Sequence, residues 1–181
     1  MGLTDRTVFQ NAWVVDDLTK AMNHWINFYG VGPFYLLEHL TLGALEYRGK
    51  PTELDISVGI AQAGPVQIEL IQQFSDGPSV YRDQVPKGKS GFHHVCIYSH
   101  DFEADRQYFE AHDYPTVFRG GADGSVQFAY YDTRKDFDVF TEVVTAHRRF
   151  IARNDAIRQA AESWDGVDPI RVFHEDGYRV P

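Results

Sequence analysis

The sequence predicts an α+β chain in which two tandem βαβββ modules form a curved mixed sheet around a central cleft, with a helical extension at the C-terminal end. Three observations carry this reading. An internal repeat aligns residues 9–29 with residues 93–113 without a gap, at a shift of 84 positions. Each copy opens with a strand-like segment that runs straight into an amphipathic helix. Each helix is followed by three more segments rich in β-branched and aromatic residues, separated by Gly and Pro. One copy of about 60 residues would have a marginal core, and packing two together remedies that.

The first module takes residues 1–75. Its opening strand is Gln10–Val15, and Asp16-Asp17 suits a helix cap and first turn. Leu18, Ala21, Met22, Trp25 and Phe28 or Tyr29 then recur at three- and four-residue steps, and Gly30 to Pro33 ends the helix. Strands are expected at Tyr35–His39, Leu54–Ile60 and Val66–Gln72, with a less regular stretch at Gly43–Tyr47 and a turn at Gly64-Pro65. Residues 76–91, with Asp76-Gly77-Pro78 and Pro86 to Lys89, read as a linker or a crossing loop.

The second module takes residues 92–145. Its strand His94–Ser99 and the His100-Asp101 cap precede a helix carrying Phe102, Tyr108 and Phe109, which stops at Asp113 to Pro115. Strands follow at Thr116–Arg119, Val126–Asp132 and Asp138–Val144, with a Gly-rich turn from Gly120 to Gly124. In residues 146–181, Ala146–Trp164 reads as a helix that starts basic, with His147, Arg148, Arg149 and Arg153. The tail from Asp165 has no clear period. It leaves open packing across the sheet, packing onto a second subunit, or no fixed position.

Composition narrows the function. Apolar residues make up 43% and charged residues 24%, which is globular and not disordered. The formal net charge of -9 repels phosphate backbones, so nucleic acid is not an expected partner. Cys96 is the only cysteine, so no intrachain disulfide forms. No apolar run has signal-peptide or membrane-spanning length, so no membrane partner and a reducing, cytoplasmic setting are expected.

Four polar residues stand out by position. Gln10 and His94 occupy the same place at the head of the two opening strands, while Glu69 and Glu142 lie inside the last strand of each copy. A carboxylate within a half-buried strand is unfavourable unless paired, solvated or metal-bound. Taken singly, Glu69 also fits a polar outer face shared with Gln67, and a lone histidine is more often structural. Taken together, the matched positions point to one divalent ion held by Gln10, Glu69, His94 and Glu142. An amide oxygen, two carboxylates and an imidazole suit Zn²⁺, Ni²⁺, Co²⁺, Mn²⁺ or Fe²⁺. His93 is a second candidate ligand, expected to point to the opposite face. Cys96 reads as a small core residue.

The segments Gln10-Asn11-Ala12-Trp13-Val14-Val15-Asp16-Asp17-Leu18, His94-Val95-Cys96-Ile97-Tyr98-Ser99-His100-Asp101-Phe102, Ile68-Glu69-Leu70 and Thr141-Glu142-Val143 resemble the vicinal oxygen chelate superfamily. That family includes glyoxalase I, methylmalonyl-CoA epimerase, extradiol dioxygenases and bleomycin-resistance proteins. The likeness covers about residues 7–145. It implies that Gln10, Glu69, His94 and Glu142 match the metal ligands, in an order similar to that of glyoxalase I. Val14 stands where glyoxalase I carries an arginine for glutathione, which counts against that substrate. The two-histidine, one-carboxylate set of the ring-cleaving dioxygenases is not reproduced.

What the resemblance implies is a metal-dependent isomerase, epimerase or lyase acting on a small hydrophobic carbonyl compound. Glu142 and Glu69 would be its acid/base pair, and a homodimer its assembly. Tyr98, His100 and Tyr130 are further candidates to shape the pocket or donate a proton. Trp13, Trp25, Phe34, Tyr35, Phe128 and Phe140 are candidates for an apolar lining. The rival readings are a ring-cleaving dioxygenase and a metal-free protein that sequesters a hydrophobic ligand. The latter places Glu69 and Glu142 on solvent or against basic groups.

Overall fold

The computed structural model describes residues 6–40, 42–121, 124–174 and 177–181. Its first elements are β1 (Val8–Val14), α1 (Leu18–His24) continued by a π-helical turn (Trp25–Tyr29), β2 (Phe34–Leu40), β3 (Glu46–Tyr47), β4 (Lys50–Pro51), β5 (Ile56–Ala63) and β6 (Val66–Gln73). Then come β7 (Gly91–Ser99), α2 (Phe102–Ala111), β8 (Thr116–Gly120), β9 (Phe128–Tyr131), α3 (Arg134–Phe137), β10 (Phe140–Thr145), α4 (Arg148–Glu162), β11 (Ile170–His174) and β12 (Gly177–Arg179). The class is α+β, strand-rich, with a helix near the C-terminal end.

All strands join one mixed sheet in the order β12-β11-β2-β5-β6-β1-β7-β10-β9-β8-β3-β4. β1 and β7 run antiparallel at its centre. Outward from them, β6, β5 and β2 lie on one side and β10, β9 and β8 on the other. β1 is parallel to β6, and β7 is parallel to β10. Both halves therefore belong to one chain and share one sheet.

The two opening helices start alike. Asp17 accepts a hydrogen bond from the Lys20 N–H at 2.9 Å, and Asp101 accepts from the Ala104 N–H at 3.0 Å. These are N-caps at matching repeat positions. Gly30, at φ 64°, closes the first helical run in the left-handed conformation that glycine adopts without strain. α1 lies on the outer face over Ala61, Ile68 and Leu70 through Leu18 and Met22. α2 covers Ile97, Ala129, Tyr131 and Val143 through Phe109. A Cβ on Gly59 of β5 would come within 2.7 Å of Met22 Sδ, so glycine lets α1 sit close to the sheet. The opposite face holds the third cluster, with Ala12, Val58, Ile60, Ile71 and Phe140, and it lines the cleft.

Three segments differ from expectation or sharpen it. The stretch Gly43–Tyr47 is a strand only at Glu46–Tyr47, because Arg48-Gly49 turns the chain with φ of 49° and 77°. That hairpin leaves its own half and pairs with β8, Glu46 opposite Arg119 and Tyr47 opposite Phe118. It ties the two halves together across the cleft. The segment between β6 and β7 buries Val80, Tyr81 and Val85 at 0%, 3% and 4% exposure, so it packs into the core and is not a bare spacer. The tail forms β11, which adds in parallel to β2 (Ile170 opposite Phe34, Val172 opposite Leu36), followed by β12. This is none of the three options left open for the tail: it extends the edge of its own sheet.

α4 packs on β5 on the cleft side and is pinned by Ile157, which is 2% exposed within the inner cluster. Ile157→Ala removes buried methyl groups that the surroundings cannot refill, and it is expected to lower unfolding free energy by about 2–5 kcal/mol. Urea denaturation checks this. A loss within experimental error would mean that α4 is not anchored as described.

Candidate metal centre

Four neighbouring strands, β6-β1-β7-β10, bring the candidate residues to one face. Ala12 of β1 lies opposite both Glu69 of β6 and His94 of β7. Gln10 lies opposite Gln67 and Cys96, and Glu142 lies opposite Cys96. Directly paired residues share a face, and so do residues two apart on one strand. Gln10, Glu69, His94, Cys96 and Glu142 therefore all turn inward. The methyl group of Ala12, fully buried, leaves room for Glu69 and His94 to meet across β1.

His94 Nε2 stands 3.0 Å from Glu142 Oε2 and 3.4 Å from Glu69 Oε2. One donor atom from each of these three residues falls within 4.8 Å of the others. Yet Nε2, fully buried, makes no aligned hydrogen bond to either carboxylate. The side chains of Glu69 and Glu142 are only 15% and 13% exposed, which rules out the solvent-facing reading of either. Among the described residues neither carboxylate forms an ion pair with a lysine or arginine.

The hydrogen-bonding chain behind His94 decides which of its nitrogens carries a proton. His93 Nε2 is 3.0 Å from the Val80 carbonyl oxygen, which only accepts, so His93 Nε2 donates. Burial, then the neighbouring His94, holds the His93 pKa well below the ordinary value, so its ring is neutral and its Nδ1 is an acceptor. His93 Nδ1 lies 2.8 Å from His94 Nδ1, which must then donate. The neutral His94 ring is left with its lone pair on Nε2, aimed between two carboxylates. Such a nitrogen requires a positive charge beside it. A proton serves in metal-free protein: burial depresses the His94 pKa, but Glu142 and Glu69 outweigh burial and push it up to about 9. A divalent cation would take the same place.

His93 was expected on the opposite face, and the structure corrects this. The β1–β7 register steps from Ala12 opposite His94 to Trp13 opposite Phe92, so His93 is one residue too many on β7. This bulge turns the fully buried His93 ring to the inside, against Tyr81, Tyr130 and Phe140.

Gln10 lines the same cavity and is 2% exposed. Its Nε2 donates to Gln67 Oε1 at 2.7 Å, which commits the nitrogen and leaves the carbonyl oxygen as the atom a cation could use. Cys96 is buried, and burial, then Glu142, pushes its thiol pKa well up, so it is an inert neighbour and not a nucleophile.

The cluster opens into a cavity of about 640 Å³. Leu37, Leu40, Ile56, Val58, Ile60, Ile71 and Val144 make most of its wall, with Phe128, Phe150, Tyr81 and Tyr130. Of the aromatics expected there, Phe128 lines it. Trp13 and Trp25 pack together with Phe34 on the outer face, while Tyr35 and Phe140 are core. Trp13 is odd-numbered on a strand whose even positions turn inward. Tyr130 lines the cavity with its ring 4.9 Å from that of His94. Tyr98 instead stacks on Phe9, and His100 is exposed beyond the end of β7. Tyr81 and Arg153 are among the lining residues that escaped the sequence reading. Tyr81 comes from the inter-module segment, where the apolar Val80, Tyr81 and Val85 were its only mark. Arg153 comes from α4, where it shares a face with Phe150 and Ile157 at three- and four-residue steps.

Comparison with known proteins supplies the family. The sequence matches the family described as the Glyoxalase/Bleomycin resistance protein/Dioxygenase superfamily over residues 9–130, about two-thirds of the chain. None of the curated proteins matches it at a significant level. Among solved structures, a hypothetical protein from Bacillus halodurans C-125 is 14% identical, with TM-score 0.57, covering 80% of this chain and 97% of that one. Methylmalonyl-CoA epimerase from Mycobacterium tuberculosis is 13% identical, with TM-score 0.52, covering 80% and 90%. At such identities these structures are similar in fold alone. The extent of the family match, together with the sheet that it covers, shows that the chain belongs to the Glyoxalase/Bleomycin resistance protein/Dioxygenase superfamily.

Proposed function

We propose that this protein is a divalent-metal-dependent isomerase, epimerase or lyase of the glyoxalase-like type, acting on a small hydrophobic carbonyl compound. The carrying observation is the buried His94 Nε2, set 3.0 Å from Glu142 and 3.4 Å from Glu69, two carboxylates that line an apolar cavity. Glu69, His94 and Glu142, with the Gln10 carbonyl oxygen, are the residues that would hold the ion. Zn²⁺, Ni²⁺, Co²⁺, Mn²⁺ and Fe²⁺ all suit this donor set. When bound, such an ion supplies a Lewis acid that stabilises negative charge on a substrate oxygen.

The chain's own groups supply the proton transfer. Glu142 takes the proton from the carbon beside the substrate carbonyl, and the C–H electron pair moves toward the carbonyl oxygen. Glu69 reaches the same point from the far side of the β1–β7 pair. Entering in its acid form, it delivers its own proton to the opposite face of that carbon in an epimerase or to the neighbouring carbon in an isomerase, and proton exchange with solvent then resets Glu142 and Glu69. The apolar walls keep bulk water away from the charge that develops. Burial raises the Tyr130 and Tyr81 hydroxyl pKa values, so both stay protonated and able to donate hydrogen bonds. We further propose a homodimer as the assembled form.

Elemental analysis of protein purified without a metal-binding tag is expected to find about one divalent ion per chain. That ion should be lost in a His94→Ala, Glu142→Ala double variant. Wild-type protein that holds no ion, or a double variant that keeps it, removes the metal reading and leaves ligand sequestration. His93→Phe keeps a ring against Tyr81 and Phe140 but breaks the chain of bonds to Val80. It should weaken Zn²⁺ binding about 10–100-fold in competition with a metallochromic indicator, while the melting curve stays cooperative. Glu142→Gln should slow exchange of the substrate's α-proton into D₂O at least about 100-fold, read by ¹H NMR over a panel of hydrophobic hydroxyketones and acyl thioesters. Exchange at the wild-type rate would exclude Glu142 as the base.

A further inference from the structure

We propose that Arg153 receives an anionic group of the substrate, so that the compound this cavity takes is an apolar body ending in a carboxylate. The inference deepens the proposed function, since it names the substrate class for the same cavity.

Arg153 is a cation in a wall that is otherwise mostly aliphatic and aromatic. It belongs to α4, which begins after the family match ends at residue 130. The helix face that carries it, with Phe150 and Ile157, is the one turned to the sheet. Among the described residues Arg153 makes no ion pair. Its Nε and Nη2 both donate to one neutral acceptor, Asn154 Oδ1, at 3.3 and 3.1 Å. Asn154 is held in turn by its donation to the Tyr98 hydroxyl at 3.0 Å. The guanidinium carbon lies 4.4 Å from the centre of the Phe150 ring. The group is thus fixed in place by neutral contacts, with donor capacity left over, in a setting where burial works against its charge.

Charge counting points the same way. Without a metal, Glu69 and Glu142 act on Arg153 and favour its charge, but a bound divalent ion offsets both carboxylates around a neutral His94. Arg153 then remains as one uncompensated positive charge facing the cavity. A monoanionic ligand neutralises it, and a guanidinium binds a carboxylate through two parallel hydrogen bonds. The aliphatic walls accept the rest of the molecule.

Calorimetric titration with 4-phenylbutyrate and its uncharged amide, 4-phenylbutyramide, tests this. Chelator-treated and Zn²⁺-loaded protein are compared, each as wild type, Arg153→Met and Arg153→Lys. Wild type is expected to bind the acid about 10-fold or more tightly than the amide when Zn²⁺-loaded, and to keep a smaller Arg153-dependent preference after chelation, where Glu69 and Glu142 oppose an anion. Arg153→Met should bring the two ligands to equal affinity, and Arg153→Lys should keep part of the preference. Equal affinities in the wild type, no binding of the acid at millimolar concentration, or a preference that survives Arg153→Met overturns the inference. A chain that holds no metal but shows an Arg153-dependent preference for the acid defeats the metal reading and leaves this one standing.

Discussion

A buried imidazole nitrogen between two carboxylates needs a positive charge, and much of this fold serves to keep those three groups together. Two acids within 3.4 Å of one nitrogen repel each other across an apolar cleft. Each sits on a different strand, and both strands flank the central β1–β7 pair. The backbone ladder supplies the restraint that the side chains themselves oppose. The bulge at His93 adds a second restraint, since it lets one histidine buttress the other and fixes the direction of the Nε2 lone pair. The proposed cation completes an arrangement that is otherwise held together against its own charge.

The same constraint explains why the site was readable in part. Glu69 and Glu142 could be picked out because strand alternation is a local rule, and because the repeat put them at matching places. Gln10 and His94 followed from the 84-residue shift. The capping aspartates, Asp17 and Asp101, marked both helix starts by residue type alone. Local chemistry repeated twice is what a single sequence shows best.

What the sequence concealed depends on register and on distant packing. An extra residue in β7 has no signature in the string Phe92-His93-His94, so the two histidines were expected on opposite faces. Trp13 was expected at the cavity because it is large and aromatic, yet its parity puts it outside, next to Trp25. Tyr81 lies in a segment whose turn residues signal a linker, and only the closed sheet shows its ring as cavity wall. The tail strand β11 lies between β2 and the short, exposed edge strand β12, so Val172 alone is fully buried and no two-residue alternation shows.

Arg153 shows how an extension can alter a scaffold without touching its centre. The repeat supplies a cleft with two carboxylates at its floor and an imidazole buried behind them, which the proposed function would turn on a carbonyl compound. Nothing in that floor selects the remote end of a ligand. α4 closes over β5 through Ile157 and carries a fixed cation to the wall of the cavity. On the proposed reading, chemistry and selection would sit on separate parts of the chain, one on the paired strands and one on a helix outside the family match. A change in α4 can then retune which ligands enter while the geometry around His94, set by β6, β1, β7 and β10, stays as it is.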